Sequence, residues 1–338
     1  MNTIFNRKPR WAARFAAGAI SLGLGMGLGL TAAPAQAEYP ERPITLIVPF
    51  APGGAVDVVG RILATAMGEQ LGQTVVVENK AGASGNIGAQ QVRRAKADGY
   101  TLLMAPTTSY VLNSRLMGKE VVGFDLLKDF RSVGVVGELP VVLVANQGMG
   151  VKTLPELVSK VRSAPGEFAY GSSGPGTLEH AVAEMFRLRE KLELLHVPYR
   201  GAAPAMVDLL AGQVQMMFAT APTALANLPG GRIVPVGVAS RNRLSSLPDT
   251  PTLIEQGLPD FTASSVYAIL VSRNTPEPVV QALNGALKRL NEGPALAEKL
   301  RLQGVVPVYT DTARADAALR AEVEKWNSVV DATHITLN

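Results

Sequence analysis

The sequence predicts an α/β protein of two lobes, each a parallel or mixed sheet flanked by helices, with a ligand cleft between them. Three observations predict it. Short apolar runs lack the polar alternation of a half-solvated strand. Each is followed by a segment with apolar residues at helical spacing, and glycine-rich loops stand at the strand-to-helix junctions. A second complete set of such units begins at Lys152.

The first strand is Ile44-Thr45-Leu46-Ile47-Val48, which ends at Pro49 and a loop containing Gly53 and Gly54. Val56, Val59, Ile62, Leu63, Ala66 and Met67 then mark a helix. Residues 74–78 form the next strand, 80–85 a glycine loop, 86–97 a helix and 100–105 a third strand. The β-branched stretch 133–144 reads as a crossing into a second lobe. There 154–161 is a helix, 168–170 a strand ending at the loop 171–176, and 178–191 a helix. Residues 194–198 form a strand, 203–211 a helix closed by Gly212, and 214–218 and 233–238 two further strands. The Pro/Gly-rich segment 248–261 returns to the first lobe through a strand at 265–271, and helices fill the chain from about Pro276. This divides the chain into a leader (1–37), a discontinuous first lobe (38–140 and 262–338) and a second lobe (141–261). Two crossings make a hinge, and ligands of open α/β sheets bind beyond the C-terminal strand ends, here in the interlobe cleft.

The 338 residues are 47% hydrophobic and 18% charged, which excludes a disordered polyelectrolyte. A formal charge of +4 and a pI near 9.3 invite a nucleic-acid reading that the distribution of charge removes. Arg7, Lys8, Arg10 and Arg14 lie in a segment without acids, since the first acid is Glu38. Removing those four of the 32 basic residues leaves 28 against 28 acidic ones, so the rest of the chain is neutral. A basic start, the Gly/Ala/Leu-rich run 15–30 and Ala35-Gln36-Ala37 stand in the order of an export signal cleaved after Ala37. The alternative, a retained anchor, needs about 20 strongly apolar residues, and this run is dotted with glycine. With no cysteine there is no lipidation site, disulfide or thiolate ligand. The expected location is a bacterial periplasm.

Glycine lets a backbone approach an anion, and the unpaired N–H groups of a helix N-terminus hold a carboxylate with about 0.3–1 kcal/mol from the dipole. The loops placed to do this supply the candidate ligand-binding residues. They are Phe50, Pro52, Gly53, Gly54 and Asp57; Ser84, Gly85 and Asn86; Thr107, Thr108 and Ser109; Ser172, Ser173, Gly176 and Thr177; Tyr199; and Ala219 with Thr220. Their polar content is mostly neutral, so dipoles and water, more than a fixed Arg, meet the ligand charge. A tight turn is the alternative role of each glycine. Asp57 lies in a first helical turn, where it favours the dipole and binds loop N–H groups; a contact to a ligand amine is its other reading. Lys80 and Arg200 flank the loops as cations that also suit solvated edges. Phe50, Tyr110 and Tyr199 suit a pocket wall or the core. His180 reads as a packed or capping histidine.

Enzyme patterns fail on inspection. Gly171-Ser172-Ser173-Gly174-Pro175 lacks the last glycine of G-x-S-x-G. No dinucleotide or phosphate-loop motif occurs. His180, His196 and His334 have no metal spacing, so no cofactor or metal is implied.

The segments Tyr39-Pro40-Glu41-Arg42-Pro43-Ile44, Val48-Pro49-Phe50-Ala51-Pro52-Gly53-Gly54-Ala55-Val56-Asp57, Val77-Glu78-Asn79-Lys80-Ala81-Gly82-Ala83-Ser84-Gly85-Asn86 and Ala97-Asp98-Gly99-Tyr100-Thr101-Leu102 resemble the tripartite tricarboxylate transporter substrate-binding proteins, the Bug family of periplasmic solute receptors. Tyr170-Gly171-Ser172-Ser173-Gly174-Pro175-Gly176-Thr177, His196-Val197-Pro198-Tyr199-Arg200-Gly201 and Leu247-Pro248-Asp249-Thr250-Pro251-Thr252 continue the likeness in order. The resemblance implies a periplasmic binding protein fold of type II-like organisation. It further implies a monomeric receptor for a small carboxylate (a di- or tricarboxylate, an acidic amino acid or an aromatic acid) that delivers its ligand to a membrane permease. Val56, Gln215 and Ala219 depart from the family's common pattern and bear on ligand identity. A co-receptor for a membrane sensor kinase is a second reading, and a periplasmic hydrolase using Ser173 and His180 a third.

Overall fold

The structure, a computed structural model, describes Met1, residues 39–333 and residues 335–336. The expected leader, its cleavage site and His334 lie outside the described residues. The chain opens with β1 (Ile44–Val48), α1 (Ala55–Leu71), β2 (Val75–Asn79), α2 (Asn86–Arg94), β3 (Thr101–Pro106) and α3 (Thr107–Met117). Two single turns, α4 (Lys119–Val122) and α5 (Leu126–Asp129), lead into the 17-residue β4 (Phe130–Asn146). The second set is α6 (Leu154–Ser163), β5 (Ala169–Ser172), α7 (Leu178–Glu190), β6 (Leu195–Pro198), α8 (Ala202–Ala211), β7 (Met216–Thr220), α9 (Ala221–Leu225) and β8 (Ile233–Val238). The return is β9 (Ser264–Ser272), followed by α10 (Glu277–Glu292), α11 (Pro294–Leu302), β10 (Val306–Pro307) and α12 (Thr312–Thr333).

Local chemistry sets the boundaries. Four of the five residues of β1 are buried, as an apolar run inside a sheet covered on both faces must be. α1 ends where Gly72 turns left-handed at φ 65°, and α6 begins with a capping box between Thr153 and Glu156. α3 was not expected: its first residues, Thr107, Thr108 and Ser109, read as a loop. Burial overrides the weak helix propensity of two threonines and a serine, since all three are 3% exposed or less.

The sheets are mixed rather than parallel. The order is β2-β1-β3-β9-β4-β7-β5-β6, with β8 and β10 also paired to β4. β1 runs parallel to β2 and β3, and β5 parallel to β6 and β7, whereas β9 is antiparallel to both β3 and β4. β4 serves both sheets. It pairs with β9 from Phe130↔Ser272 to Pro140↔Ser264, and from Val141 onward with β7 and β8. Pro140, with no N–H to give a ladder, stands where the pairing changes hands. The two crossings are tied together there. Val141 N–H donates to Ala263 O (3.2 Å), Ala263 N–H to Ala239 O (2.9 Å), and Ala239 N–H to Val141 O (2.8 Å).

Three apolar clusters cover the sheet faces. Leu46, Leu63, Met104, Ile269 and Leu283 join β1, β3 and β9 to α1 and α10. Val142, Leu209 and Met217 do the same for α8 in the second lobe. The remaining cluster runs through both lobes and includes Leu103, Phe130, Phe218 and, from α12, Trp326. Trp326 is 1% exposed and donates its indole N–H to Glu322 Oε1 at 2.8 Å; the same oxygen accepts from the Thr108 hydroxyl. α12 thereby fixes the start of α3, which faces the cleft. No helix among the described residues is long and apolar enough to cross a membrane.

Candidate functional site

The C-terminal ends of β1, β3, β5 and β7 and the N-termini of α1, α3, α7 and α8 converge on a narrow cavity. The first lobe contributes Phe50, Gly54, Ala55 and Val56 from the start of α1, Pro106 and Ser109 from the start of α3, and Ser265 and Tyr267 from β9. The second lobe contributes Ser173, Glu179, Ala202 and Thr220. None of the four helices has a side-chain cap on its own N-cap residue, so their first-turn N–H groups are left for other partners. One is taken from across the cleft, where the Leu178 N–H donates to Ser109 Oγ at 3.2 Å. Among the described residues no Lys, Arg or His lines the cavity, and no group of three or more His, Cys, Asp or Glu is placed to hold a metal.

The loop before α1 is held in shape by Asp57. Its carboxylate accepts from Gly53 N–H (3.0 Å), Arg61 Nε (3.0 Å) and Asn79 Nδ2 (2.9 Å). Burial pushes the Asp57 carboxyl up, but the Arg61 guanidinium, the Gly53 N–H and the Asn79 amide outweigh it and hold it below the usual carboxylate range. Of the two readings for Asp57, the structure thus displays the loop-binding one. Gly53 has φ +86°, the left-handed turn that lets the chain enter α1, while Gly54 is extended at φ −80°.

Of the sequence candidates, Phe50, Gly54, Ser109, Ser173 and Thr220 line the cavity. Pro52 and Gly53 are exposed on the loop beside it. Others lie at or beside the seam between the lobes, which the first of the following bonds crosses and the other three brace from within the first lobe. Ser84 Oγ donates to Pro175 O (2.7 Å), Asn113 Nδ2 to Ser84 O (3.0 Å) and to Asn86 Oδ1 (3.1 Å), and Tyr110 OH to Gly85 O (3.2 Å). Gly176, at φ +74°, abuts Asn113 so closely that a Cβ would come within 2.5 Å of its Oδ1. Thr107 and Thr108 spend their hydroxyls on Val266 O and Glu322, and Thr177 donates to Gly174 O at 2.7 Å. Ala219 packs in the core of the second lobe. Tyr199 donates to Asp208 Oδ2 at 2.7 Å, and burial with that carboxylate raises its hydroxyl to about 12. Lys80 pairs with Glu78 at 2.6 Å and Arg200 is exposed, so neither reaches the cavity.

Ser173 and His180 form no hydrolytic pair. His180 Nδ1 accepts from Gly176 N–H at 3.2 Å, and the serine that meets a histidine is Ser172, 2.7 Å from His196 Nε2. Ser172 is 0% exposed and does not line the cavity. The two rings stack at 4.2 Å, and burial with the neighbouring His180 lowers His196 to about 4.

Glu179, Ser265 and Tyr267 went unrecognised in the sequence. An acid in a first helical turn reads as a dipole partner, and Ser265 and Tyr267 are alternate residues of a strand whose cavity face only packing reveals. Burial pushes the Glu179 carboxyl above the usual range, and the Ser173 hydroxyl, its own backbone N–H and the Thr177 hydroxyl pull it part of the way back.

A family model, Tripartite tricarboxylate transporter family receptor, matches residues 59–335. The chain is 34% identical over 313 residues to Protein BugT of Bordetella pertussis, covering 92% of this chain and 96% of that protein. An R. palustris protein solved with adipate superposes at a TM-score of 0.83 with 31% identity, over 88% of this chain and 99% of the other. MatC from Rhodopseudomonas palustris with bound malate gives 0.80 with 30% identity, over 86% of this chain and all of that one (100%).

Proposed function

We infer what this chain does from the premise that it belongs to the tripartite tricarboxylate transporter receptor family: it captures a small carboxylate between its lobes and delivers it to the membrane subunits of such a transporter. The family and the structural neighbours are solute-binding proteins rather than enzymes. The observation that carries the ligand class is the cavity, where the N-termini of α1, α3 and α8, without side-chain caps, and the Ser109, Ser173 and Thr220 hydroxyls face one space with no cation among the described residues that line it. Such a site holds a carboxylate by aligned N–H and O–H donors. Neighbours solved with adipate and malate agree with that chemistry.

The lobes we propose are residues 38–140 with 262–338, and 141–261. The exchange of β4 partners at Pro140 and Val141 supports the first of these boundaries, and the bond from Val141 to Ala263 supports a return crossing beside it. A ligand at 100 times its Kd that binds only the folded state adds about 2.7 kcal/mol. We therefore expect at least one member of a panel of mono-, di- and tricarboxylates and aromatic acids to raise the melting temperature unconsumed, with its amide raising it less. Silence across the panel would remove the receptor reading.

Export is the other half of the proposal. The basic, apolar and Ala-x-Ala elements of residues 1–37 place the mature terminus at Glu38. N-terminal sequencing of the periplasmic protein is expected to read Glu-Tyr-Pro; a terminus at Met1 in that fraction would exclude cleavage.

A further inference from the structure

Among the described residues four acids are buried: Asp57, Glu179, Glu184 and Glu322. Three have their needs met by the chain itself. Asp57 pairs with Arg61 at 2.9 Å and Glu184 with Arg187 at 2.7 Å, while Glu322 accepts from the Thr108 hydroxyl and the Trp326 N–H. Glu179 is 8% exposed, borders the cavity, and has no ion-pair partner among the described residues. The Ser173 and Thr177 hydroxyls temper its burial, but no cation among the described residues lines the space it faces. A carboxylate withdrawn from water without a counter-charge is costly, and so is the ammonium of a ligand entering the same cavity. Each supplies what the other lacks.

We propose that Glu179 is the specificity-determining residue of the cleft, receiving the protonated amino group of a zwitterionic amino carboxylate whose carboxylate lies on the helix N-termini. The proposal rests on the carboxylate-receptor reading and narrows it. A plain dicarboxylate sets a second negative charge towards Glu179, whereas an amino carboxylate presents one charge of each sign to a cavity that has donors and one acid. The other polar groups of the lining are neutral hydroxyls, those of Ser109, Ser173, Thr220, Ser265 and Tyr267. They accept a hydrogen bond from an ammonium but do not neutralise it.

Calorimetry on matched pairs differing only in the amino group tests this: aspartate with succinate, glutamate with glutarate, alanine with propionate, and phenylalanine with 3-phenylpropionate. In the pair that binds, the aminated member is expected to bind the wild type at least about tenfold tighter, a difference of about 1.4 kcal/mol. Glu179→Gln keeps the shape and removes the charge. It is expected to reduce that ratio to below about threefold by weakening the amino acid alone, with the melting temperature of the unliganded variant recorded to verify folding. If the variant does not fold, the wild-type ratio decides alone. A des-amino acid that binds as tightly as its partner, or tighter, overturns the proposal and leaves the receptor reading standing. A preference that survives Glu179→Gln overturns it too. If no member of any pair binds, the proposal falls, and the wider carboxylate panel decides the reading beneath it.

Discussion

Gly54→Val is expected to weaken ligand binding by about one to two orders of magnitude, or roughly 1.4–2.8 kcal/mol, while the protein stays folded. Gly54 has φ −80°, a conformation open to any residue, and a Cβ there would find its nearest neighbours, Ala202 Cβ, Ala203 N and Ala51 O, at an ordinary 3.9 Å. The backbone thus tolerates the change. The two methyl groups of valine extend further, into the space between the starts of α1 and α8 that the cavity occupies. They displace the ligand or hold the lobes apart. Gly53→Val is the control with a different signature. At φ +86° a β-branched side chain adds about 1–2 kcal/mol of backbone cost, so that variant loses stability as well as affinity. Calorimetry for affinity and urea unfolding for stability separate the two. Wild-type affinity in a folded Gly54→Val protein would show that the start of α1 is only a turn and that the anion lies elsewhere in the cleft.

Trp326→Ala is expected to cost about 3–5 kcal/mol of folding stability, the range for removing a fully buried large aromatic. Three losses act together. The indole leaves a void in the cluster that spans both lobes, Glu322 Oε1 loses its N–H donor, and the Thr108 hydroxyl that shares that oxygen is left on a less ordered acceptor. Trp326→Phe fills most of the volume and is expected to lose about half as much. The sequence has two tryptophans, Trp11 and Trp326, so these variants lose one of the two fluorescent reporters and their unfolding in urea is followed by circular dichroism. A loss below about 1 kcal/mol for the alanine variant would mean that α12 is not anchored through this residue.

The strand–loop–helix grammar around β1, β2 and β5 was legible because each carries both halves of the signal, an apolar run and a glycine or proline stop. The first cavity loop was legible for the same reason, and Phe50, Gly54, Ser109, Ser173 and Thr220 line the cavity. What stayed hidden depends on partners remote in sequence. Thr107, Thr108 and Ser109 are helical because Val266 and Glu322 hold their neighbourhood, contacts 158–214 residues away. Ala219 sat in a promising loop pattern, yet the alternation of β7 turns it into the core. Glu179 carries the ordinary signature of a helix start, and only the absence of a nearby cation in three dimensions gives it another meaning.

β9 lies between β3 and β4 in the sheet of the first lobe, although it follows every strand of the second lobe in the chain. Until residues 264–272 have been made, β3 and the first half of β4 have no strand between them. Both present open edges, of the kind on which another chain can add. The second lobe is not so constrained, since β4 through β8 complete its sheet by residue 238. Its contacts are the more local and carry the smaller loop-closure cost. The lobes can therefore be completed only in the reverse of their order along the chain, and the first lobe, begun earliest, must wait for the last strand to arrive before its sheet is whole.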